Sequence, residues 1–95
     1  MTKTNAFIPV TNYTIIDKKR KIIKKVMDPA AKYNIIDVYR GKEKKSNLIG
    51  YVLTLVHPGS NEVDYIPYII NNSKKFETIK DFNLAVEFIN NIAIV

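Results

Sequence analysis

The sequence predicts an α+β fold: a three-stranded antiparallel meander with a C-terminal helix packed on one face, plus an N-terminal basic amphipathic helix or hairpin. Runs rich in β-branched and aromatic residues lie between 33 and 70, separated by turn residues. Apolar residues at helical spacing follow between 78 and 91. Because 95 residues are too few for two cores, we expect one domain, 1–95.

Residues 1–12 are expected to form an extended arm, which contains Pro9 and contacts the body through Phe7, Ile8 and Val10. The basic segment 13–28 follows, and it fits two structures. As a helix ended by Asp28 and Pro29, it has its apolar residues on one arc. These residues are Ile15, Ile16, Ile22, Ile23, Val26 and Met27.

The alternative for the basic segment is a hairpin with strands at 13–17 and 22–26, joined by a Lys-Lys-Arg-Lys turn. Adjacent isoleucines favour strands, but the turn lacks the Gly or Asn of a tight hairpin. The apolar spacing therefore favours the helix, and the hairpin stays open. Either structure presents the lysines to solvent.

Three strands are predicted next, at 33–40, 48–56 and 63–70. The second is the most apolar and is expected to be central, with one face formed by Ile49, Tyr51, Leu53 and Leu55. Pro67 lacks a backbone donor, so the third strand is expected at an edge.

The final helix is predicted over 78–91. Thr78 is the expected N-cap, with Asp81 three residues later. Its core stripe consists of Phe82, Ala85, Val86 and Ile89. The basic segment is expected beside this helix or at an edge of the sheet.

Charge is unevenly distributed. The formal net charge is +6, but residues 18–45 carry eleven basic and three acidic side chains, a net of +8, whereas residues 46–95 carry a net of −2. Such asymmetry predicts a positive surface that attracts polyanions or an acidic protein. AT-rich codon usage offers another explanation for the abundance of lysine, and a solvated basic face without a ligand remains the alternative to a binding site.

Several functional classes are disfavoured by composition. No cysteine is present, which excludes disulfides and thiolate metal sites, and the single histidine, His57, gives too few ligands for a conventional zinc site. We expect His57 to be a solvent-exposed turn residue. With isolated glycines and no nucleophile beside a base, we predict neither an enzyme nor a cofactor. No apolar stretch suits a membrane, so a cytoplasmic protein is expected.

The leading hypothesis is a nucleic-acid-binding module whose lysines neutralise phosphates with weak sequence specificity. The candidate contacts are Lys18, Lys19, Arg20, Lys21, Lys24, Lys25, Arg40, Lys42, Lys44 and Lys45. Tyr33 and Tyr39 are expected on one face of the first strand, with Tyr65 on the same face of the third. Exposed rings there would offer a second means of binding by stacking on unpaired bases, but most of the tyrosines are expected to pack in the core.

The order helix, three strands, helix is similar to that of double-stranded-RNA-binding domains, and Ser73-Lys74-Lys75 before the last helix resembles that family's phosphate-gripping lysines. The family's Gly-Pro-x-His loop is absent, and the two lysines precede the helix. Residues 50–89 resemble the three-strand-plus-helix modules of plant AP2 domains and integrase arm-binding domains. Those sheets read DNA with Arg and Trp, whereas only Arg40 is available here, so both likenesses are ones of shared geometry.

The alternative hypothesis is a protein-binding inhibitor or adaptor. Leu84, Phe88 and Ile92 form a second apolar row on the last helix, which is either covered by the N-terminal segment or available to a partner or a homodimer. The short, cysteine-free chain is also similar in character to accessory proteins of phages and mobile elements, which block host machinery.

Overall fold

A computed structural model describes residues 7–40, 47–70 and 76–93. The elements, in chain order, are β1 Ile8–Pro9, β2 Thr14–Asp17, β3 Ile22–Lys25, β4 Lys32–Tyr39, β5 Leu48–His57, β6 Glu62–Ile69 and α1 Phe82–Ala93. Within these ranges, no helix has both the length and the apolar character needed to cross a bilayer.

The main sheet is antiparallel and has the strand order β1-β4-β5-β6. The α+β class with one C-terminal helix is thereby confirmed, but the sheet has four strands rather than the three predicted. The additional strand forms because Ile8 and Pro9 pair with Tyr33 and Lys32. Proline is tolerated there because β1 is an edge strand. Pro67 likewise lies in β6, at the opposite edge.

The basic segment 13–28 is not the favoured helix but the alternative hairpin, in which Ile15 pairs with Lys24 and Ile16 with Ile23. Adjacent isoleucines therefore lie on opposite faces: Ile15 is 1% exposed and Ile16 is 58% exposed. The turn of this hairpin has no Gly or Asn, and two other features stabilise it. Asp17 Oδ1 accepts a hydrogen bond from the Arg20 backbone N–H at 2.9 Å, and Lys21 adopts a left-handed φ of 59°.

The central strand β5 is covered on both faces. Val52 packs with Ala85 and Ile89 of α1, whereas Leu53 and Leu55 pack with Ile15 and Val26 of the hairpin. Successive residues of a strand face opposite sides, so α1 and the hairpin sandwich the sheet. The basic segment thus lies on the face opposite the helix, and the prediction of a position beside the helix or at an edge is wrong.

The predicted common face of the central strand holds for Leu53 and Leu55 but not for Ile49, which packs with the helix-side cluster. Val38 pairs with Gly50 and Tyr39 with Leu48, so Ile49 is the extra residue of a β-bulge. A bulge changes the alternation of side chains, which strict period-two reasoning misses.

Gly50 allows α1 to approach the sheet closely. A Cβ at this position would lie 2.9 Å from Ile89 Cγ2 and would also meet the backbone carbonyl of Tyr68. A larger residue would push the helix or β6 away.

The helix begins at Phe82 rather than at residue 78, and the N-cap is Asp81 rather than Thr78. Asp81 Oδ1 accepts a hydrogen bond from the Leu84 backbone N–H at 3.2 Å. The preceding residues stay extended because Ile79 exchanges two backbone hydrogen bonds with Tyr65, at 2.7 and 2.8 Å. Pairing with β6 therefore takes precedence over the local capping pattern.

Candidate polyanion-binding hairpin

The turn of the hairpin exposes a group of lysines. Residues 18–21 connect β2 to β3, and the side chains of Lys18, Lys19 and Lys21 are exposed. The Lys21 N–H donates to the Lys18 carbonyl at 3.4 Å, which closes the turn. Consecutive cationic residues on so short a loop concentrate positive charge at one end of the hairpin.

Arg20 differs from its neighbours because two carboxylates hold it. Its Nη1 donates to Asp17 Oδ2 at 2.9 Å and its Nε to Asp37 Oδ1 at 3.2 Å, while the guanidinium carbon lies 5.5 Å from the centre of the Tyr51 ring. Burial alone would lower the pKa of Arg20, but the hydrogen bonds to Asp37 and Asp17 outweigh it and raise that pKa. Arg20 therefore fastens the turn to the sheet.

The neighbouring aspartate responds to the same pairing. Burial would raise the pKa of Asp17, but hydrogen bonds from the Arg20 backbone N–H and guanidinium outweigh this and lower it. The side chains of Asp17 and Arg20 are 18% and 25% exposed, so the pair is only partly screened by water. Both groups stay ionised at neutral pH.

The lysines of β3 point in opposite directions. Lys24 pairs with Ile15 on the half-buried inner face, and Lys25 pairs with Thr14 on the outer face and is exposed. In the part of the chain that the structure describes, no carboxylate lies within 4.0 Å of the ammonium groups of the turn or of β3. The predicted cluster is therefore divided: the turn lysines and Lys25 share an outward region, Arg20 is paired, and Lys24 faces inward.

Arg40 follows the end of β4 and is exposed. The contact between Arg20 and Asp37 brings the hairpin turn to this end of the sheet, with Arg40 three residues farther along the chain, about 10 Å at the rise of a strand. The chain leaves the described residues after Arg40 and re-enters them at Asn47. The predicted contacts Lys42, Lys44 and Lys45 lie outside the described residues, as do residues 73–75 of the double-stranded-RNA-binding likeness.

The first helix of that likeness is absent, because residues 14–25 form two strands. The order helix, three strands, helix therefore does not describe this chain. Its basic segment presents a strand surface instead of a helix.

The outer face of the hairpin is apolar at its centre. Ile16 and Ile23 pair there and are 58% and 72% exposed. Met27 follows two residues after Lys25, the last residue of β3, and is 74% exposed. The favoured helix groups all three with Ile15, Ile22 and Val26 on one apolar arc, and the hairpin separates them from these buried residues. In strands, successive residues face opposite sides, so each Ile-Ile pair has one buried and one exposed member. This alternation is the sequence signal that distinguishes Ile16 and Ile23 from the buried Ile15 and Ile22.

Tyr65 does not lie on the predicted common face with Tyr33. Tyr33 pairs with Leu55 and contributes to the hairpin-side cluster, whereas Tyr65 pairs with Thr54 and faces α1. The Tyr65 ring packs edge-to-face on Phe82 with a centroid separation of 5.9 Å. A base-stacking surface that includes both rings is therefore excluded.

The second apolar row of α1 is partly covered by a residue that precedes the helix. Phe88 packs against Phe76 with a centroid separation of 5.1 Å. Ile92 is half-buried, whereas Leu84 is 55% exposed. Among the described residues of the N-terminal segment, strand β1 lies at the edge remote from β6 and the hairpin packs on the other face of the sheet, so neither covers this row.

His57 is not a solvent-exposed turn residue. It is the last residue of β5, its side chain is 21% exposed, and it lies between two carboxylates. Nδ1 is 2.8 Å from Asp28 Oδ2 and Nε2 is 3.2 Å from Asp64 Oδ2. Only the protonated imidazolium donates from both nitrogens, so this geometry fits the charged form.

The hydrogen bond to Asp28 is the main cause of the raised pKa of His57, and it also lowers the pKa of Asp28. Burial would raise the pKa of Asp64, but the hydrogen bonds and positive charges of Lys80 and His57 together outweigh this and lower it. Lys80 Nζ also lies 3.7 Å from Glu62 Oε2. Across the described ranges, no group of three or more His, Asp or Glu side chains suits a metal ion.

Comparisons with protein families, with curated proteins and with solved structures find no match to this chain.

Proposed function

We propose that this chain is a small non-enzymatic binding module that contacts nucleic-acid phosphates through the hairpin β2–β3, with weak sequence specificity. The observation that carries the proposal is the exposure of Lys18, Lys19, Lys21 and Lys25 on the turn and outer face, without a carboxylate partner among the described residues. Arg20 holds their turn against the sheet, so the charges are presented on a supported element.

Lysine contacts with phosphate act by charge and release counterions, without selecting a base sequence. Each phosphate neutralised on a B-form duplex adds about 0.9 to the slope of log affinity against log salt concentration. The four outward lysines therefore predict a slope of about −3 to −4 if each meets one phosphate. Electrostatic attraction of this kind extends over roughly 8 Å at physiological ionic strength.

A titration against duplex DNA at several salt concentrations tests the proposal. Lys19→Gln should reduce the magnitude of the slope by about one. Lys32→Gln is the matched control: it removes the same charge from an exposed position at the beginning of β4, far from the turn. Equal effects of the two substitutions, or affinity that does not depend on salt, would contradict phosphate binding by the hairpin.

Exposure of Leu84 at 55% favours a second candidate function, contact with a protein partner through the helix row Leu84, Phe88 and Ile92. This is the action expected of a phage-type inhibitor or adaptor. Tight, salt-insensitive binding to a purified protein that Leu84→Gln abolishes would support it. A dimer in sedimentation equilibrium that the same substitution dissociates would indicate that the partner is a second copy.

A further inference from the structure

We infer that the outer face of the hairpin β2–β3 is a β-ribbon that enters the major groove of B-form DNA, with Ile16 and Ile23 against base edges and the lysines against the flanking phosphates. The inference rests on the proposed function and deepens it by naming double-stranded DNA as the polyanion.

The outer face has the composition of a groove-contacting surface. Its side chains are those of Thr14 and Ile16 on β2 and of Ile23 and Lys25 on β3. The isoleucine pair is exposed, and lysines lie on both sides of it along the hairpin: the turn lysines at one end and Lys25 at the other. A strip of cations with a short apolar centre complements a groove whose rims are phosphates and whose floor is bases.

The dimensions also fit. Two paired strands lie about 4.8 Å apart, and the major groove is about 12 Å wide, enough for a two-stranded ribbon with its side chains. The inner face is supported by Ile15 and Ile22, each 1% exposed. Arg20 ties the turn to β4 through Asp37. The ribbon therefore meets DNA already ordered, which limits the entropic cost of binding.

The chemistry of the face selects among nucleic acids. Binding of single strands depends on several aromatic side chains that stack on successive bases, and the basic segment 13–28 contains only one, the exposed Tyr13 just before β2. The major groove of A-form RNA is too deep and narrow for side chains to read. The major groove of B-form DNA presents the thymine methyl group, an apolar partner for aliphatic side chains. Ile16 and Ile23 therefore favour A·T-containing duplex DNA.

The decisive experiment compares a 20-base-pair A·T-rich DNA duplex with the same duplex carrying uracil in place of thymine, with an RNA duplex and with a single strand. We expect the DNA duplex to bind most tightly and the loss of thymine methyl groups to weaken binding about threefold to tenfold. The double variant Ile16→Thr/Ile23→Thr should bind about tenfold more weakly, with an unchanged salt slope and no further response to uracil. Threonine keeps the β-branched shape that suits the strands.

Val63→Thr is the matched control, since it also introduces threonine at a β-branched strand position, lies in β6 outside both the hairpin and the helix row, and should leave DNA binding unchanged. If all four nucleic acids bind equally and the double variant binds as tightly as the parent, groove entry is wrong while phosphate binding stands. If salt-dependent binding to nucleic acid is absent altogether, both proposals fail. Preferential binding to vesicles containing phosphatidylserine, lost in the double variant, would assign the face to a membrane and overturn the inference.

Discussion

Two four-residue turns, 18–21 in the hairpin β2–β3 and 58–61 in the hairpin β5–β6, reach similar backbone geometry by different means. Each ends in a left-handed residue, Lys21 with φ 59° and Asn61 with φ 58°. The second turn contains Pro58, Gly59 and Asn61, whose local preferences suit a turn. The first has only cationic residues and depends on Asp17 to accept hydrogen bonds from Arg20.

The two turns also adjoin different ionic clusters. Arg20, within the first turn, bridges Asp17 and Asp37, and its guanidinium stays charged throughout the physiological pH range. His57, immediately before the second turn, bridges Asp28 and Asp64, and its charge depends on pH. Asp28 follows β3, so the hairpin β2–β3 is attached to the sheet by a permanent cation at its turn and by a titratable one at its open end.

The largest effect is expected from removing the permanent attachment. Arg20→Gln leaves Asp17 and Asp37 without their cation, and we expect the free energy of unfolding to fall by about 2 kcal/mol in urea titrations, because charged hydrogen bonds are lost from a partly buried position. Arg20→Lys should lose less stability than Arg20→Gln but remain below the parent, since an ammonium lacks the planar set of N–H donors with which a guanidinium binds two carboxylates. The neighbouring exposed Lys19→Gln is the control, with a change within about 0.5 kcal/mol. Equal losses for Arg20→Gln and Lys19→Gln would show that the attachment does not stabilise the fold.

An intermediate effect is expected from pH at the titratable attachment. The pKa of His57 is raised in the folded state, so its contribution is fully present below the unfolded value of about 6.5 and is lost as pH rises through the folded value. The pKa values of Asp28 and Asp64 are lowered, so their contribution is present above about 3.9 and is lost at lower pH.

Thermal unfolding between pH 4.5 and 9 measures this response. His57→Gln should remove the loss of stability on the alkaline side, whereas Arg20→Gln should lower Tm at every pH and keep that loss. If Tm falls at alkaline pH by the same amount in the parent protein and in His57→Gln, a group other than His57 is responsible.

The smallest effect is expected from the left-handed residues. Lys21→Gly should raise the free energy of unfolding by about 0.5 to 1 kcal/mol, because glycine adopts a positive φ without the steric cost borne by lysine. Asn61→Gly should change it by only a few tenths, since asparagine tolerates this conformation. A destabilised Lys21→Gly variant would mean that the Lys21 side chain contributes contacts that outweigh its backbone strain.

Sequence predicted the elements whose signals are local. The strands around Leu53 and Ile66 follow from β-branched runs, and their turn follows from Pro58 and Gly59. The helix was predicted, but its start was placed too early because the pairing of Ile79 with Tyr65 is a tertiary event. For a related reason the sequence favours the helix over the hairpin, which it leaves as the alternative: Ile15, Ile16, Ile22 and Ile23 satisfy both helical and strand spacing, and packing on the sheet decides between them.

The sequence shows which basic residues form the candidate site, but it does not show which carboxylates contact them in the folded chain. The turn lysines were identified, whereas the capture of Arg20 depends on Asp37, seventeen residues away, and the position of His57 depends on Asp28, twenty-nine residues away. Neither pair has a short-range signature. The exposed Ile16 and Ile23 could be recognised only once the segment was known to be a strand pair.

The hydrogen bond from the Val10 N–H to the Ala31 carbonyl, 3.0 Å long, has a consequence for protein engineering. Residues 11–30, which contain the hairpin β2–β3, lie between these two positions, and the ends of this segment are adjacent. We therefore expect that the segment can be removed or transferred without changing the order of the strands in the main sheet. A short connection between Val10 and Ala31 would give a truncated chain in which the apolar residues that the hairpin covers, Leu53, Leu55 and Ile66 together with Tyr33, Ile35 and Tyr68, need polar replacements. Conversely, the segment 11–30 is suited to insertion beside an edge strand of another protein, since its two ends lie side by side.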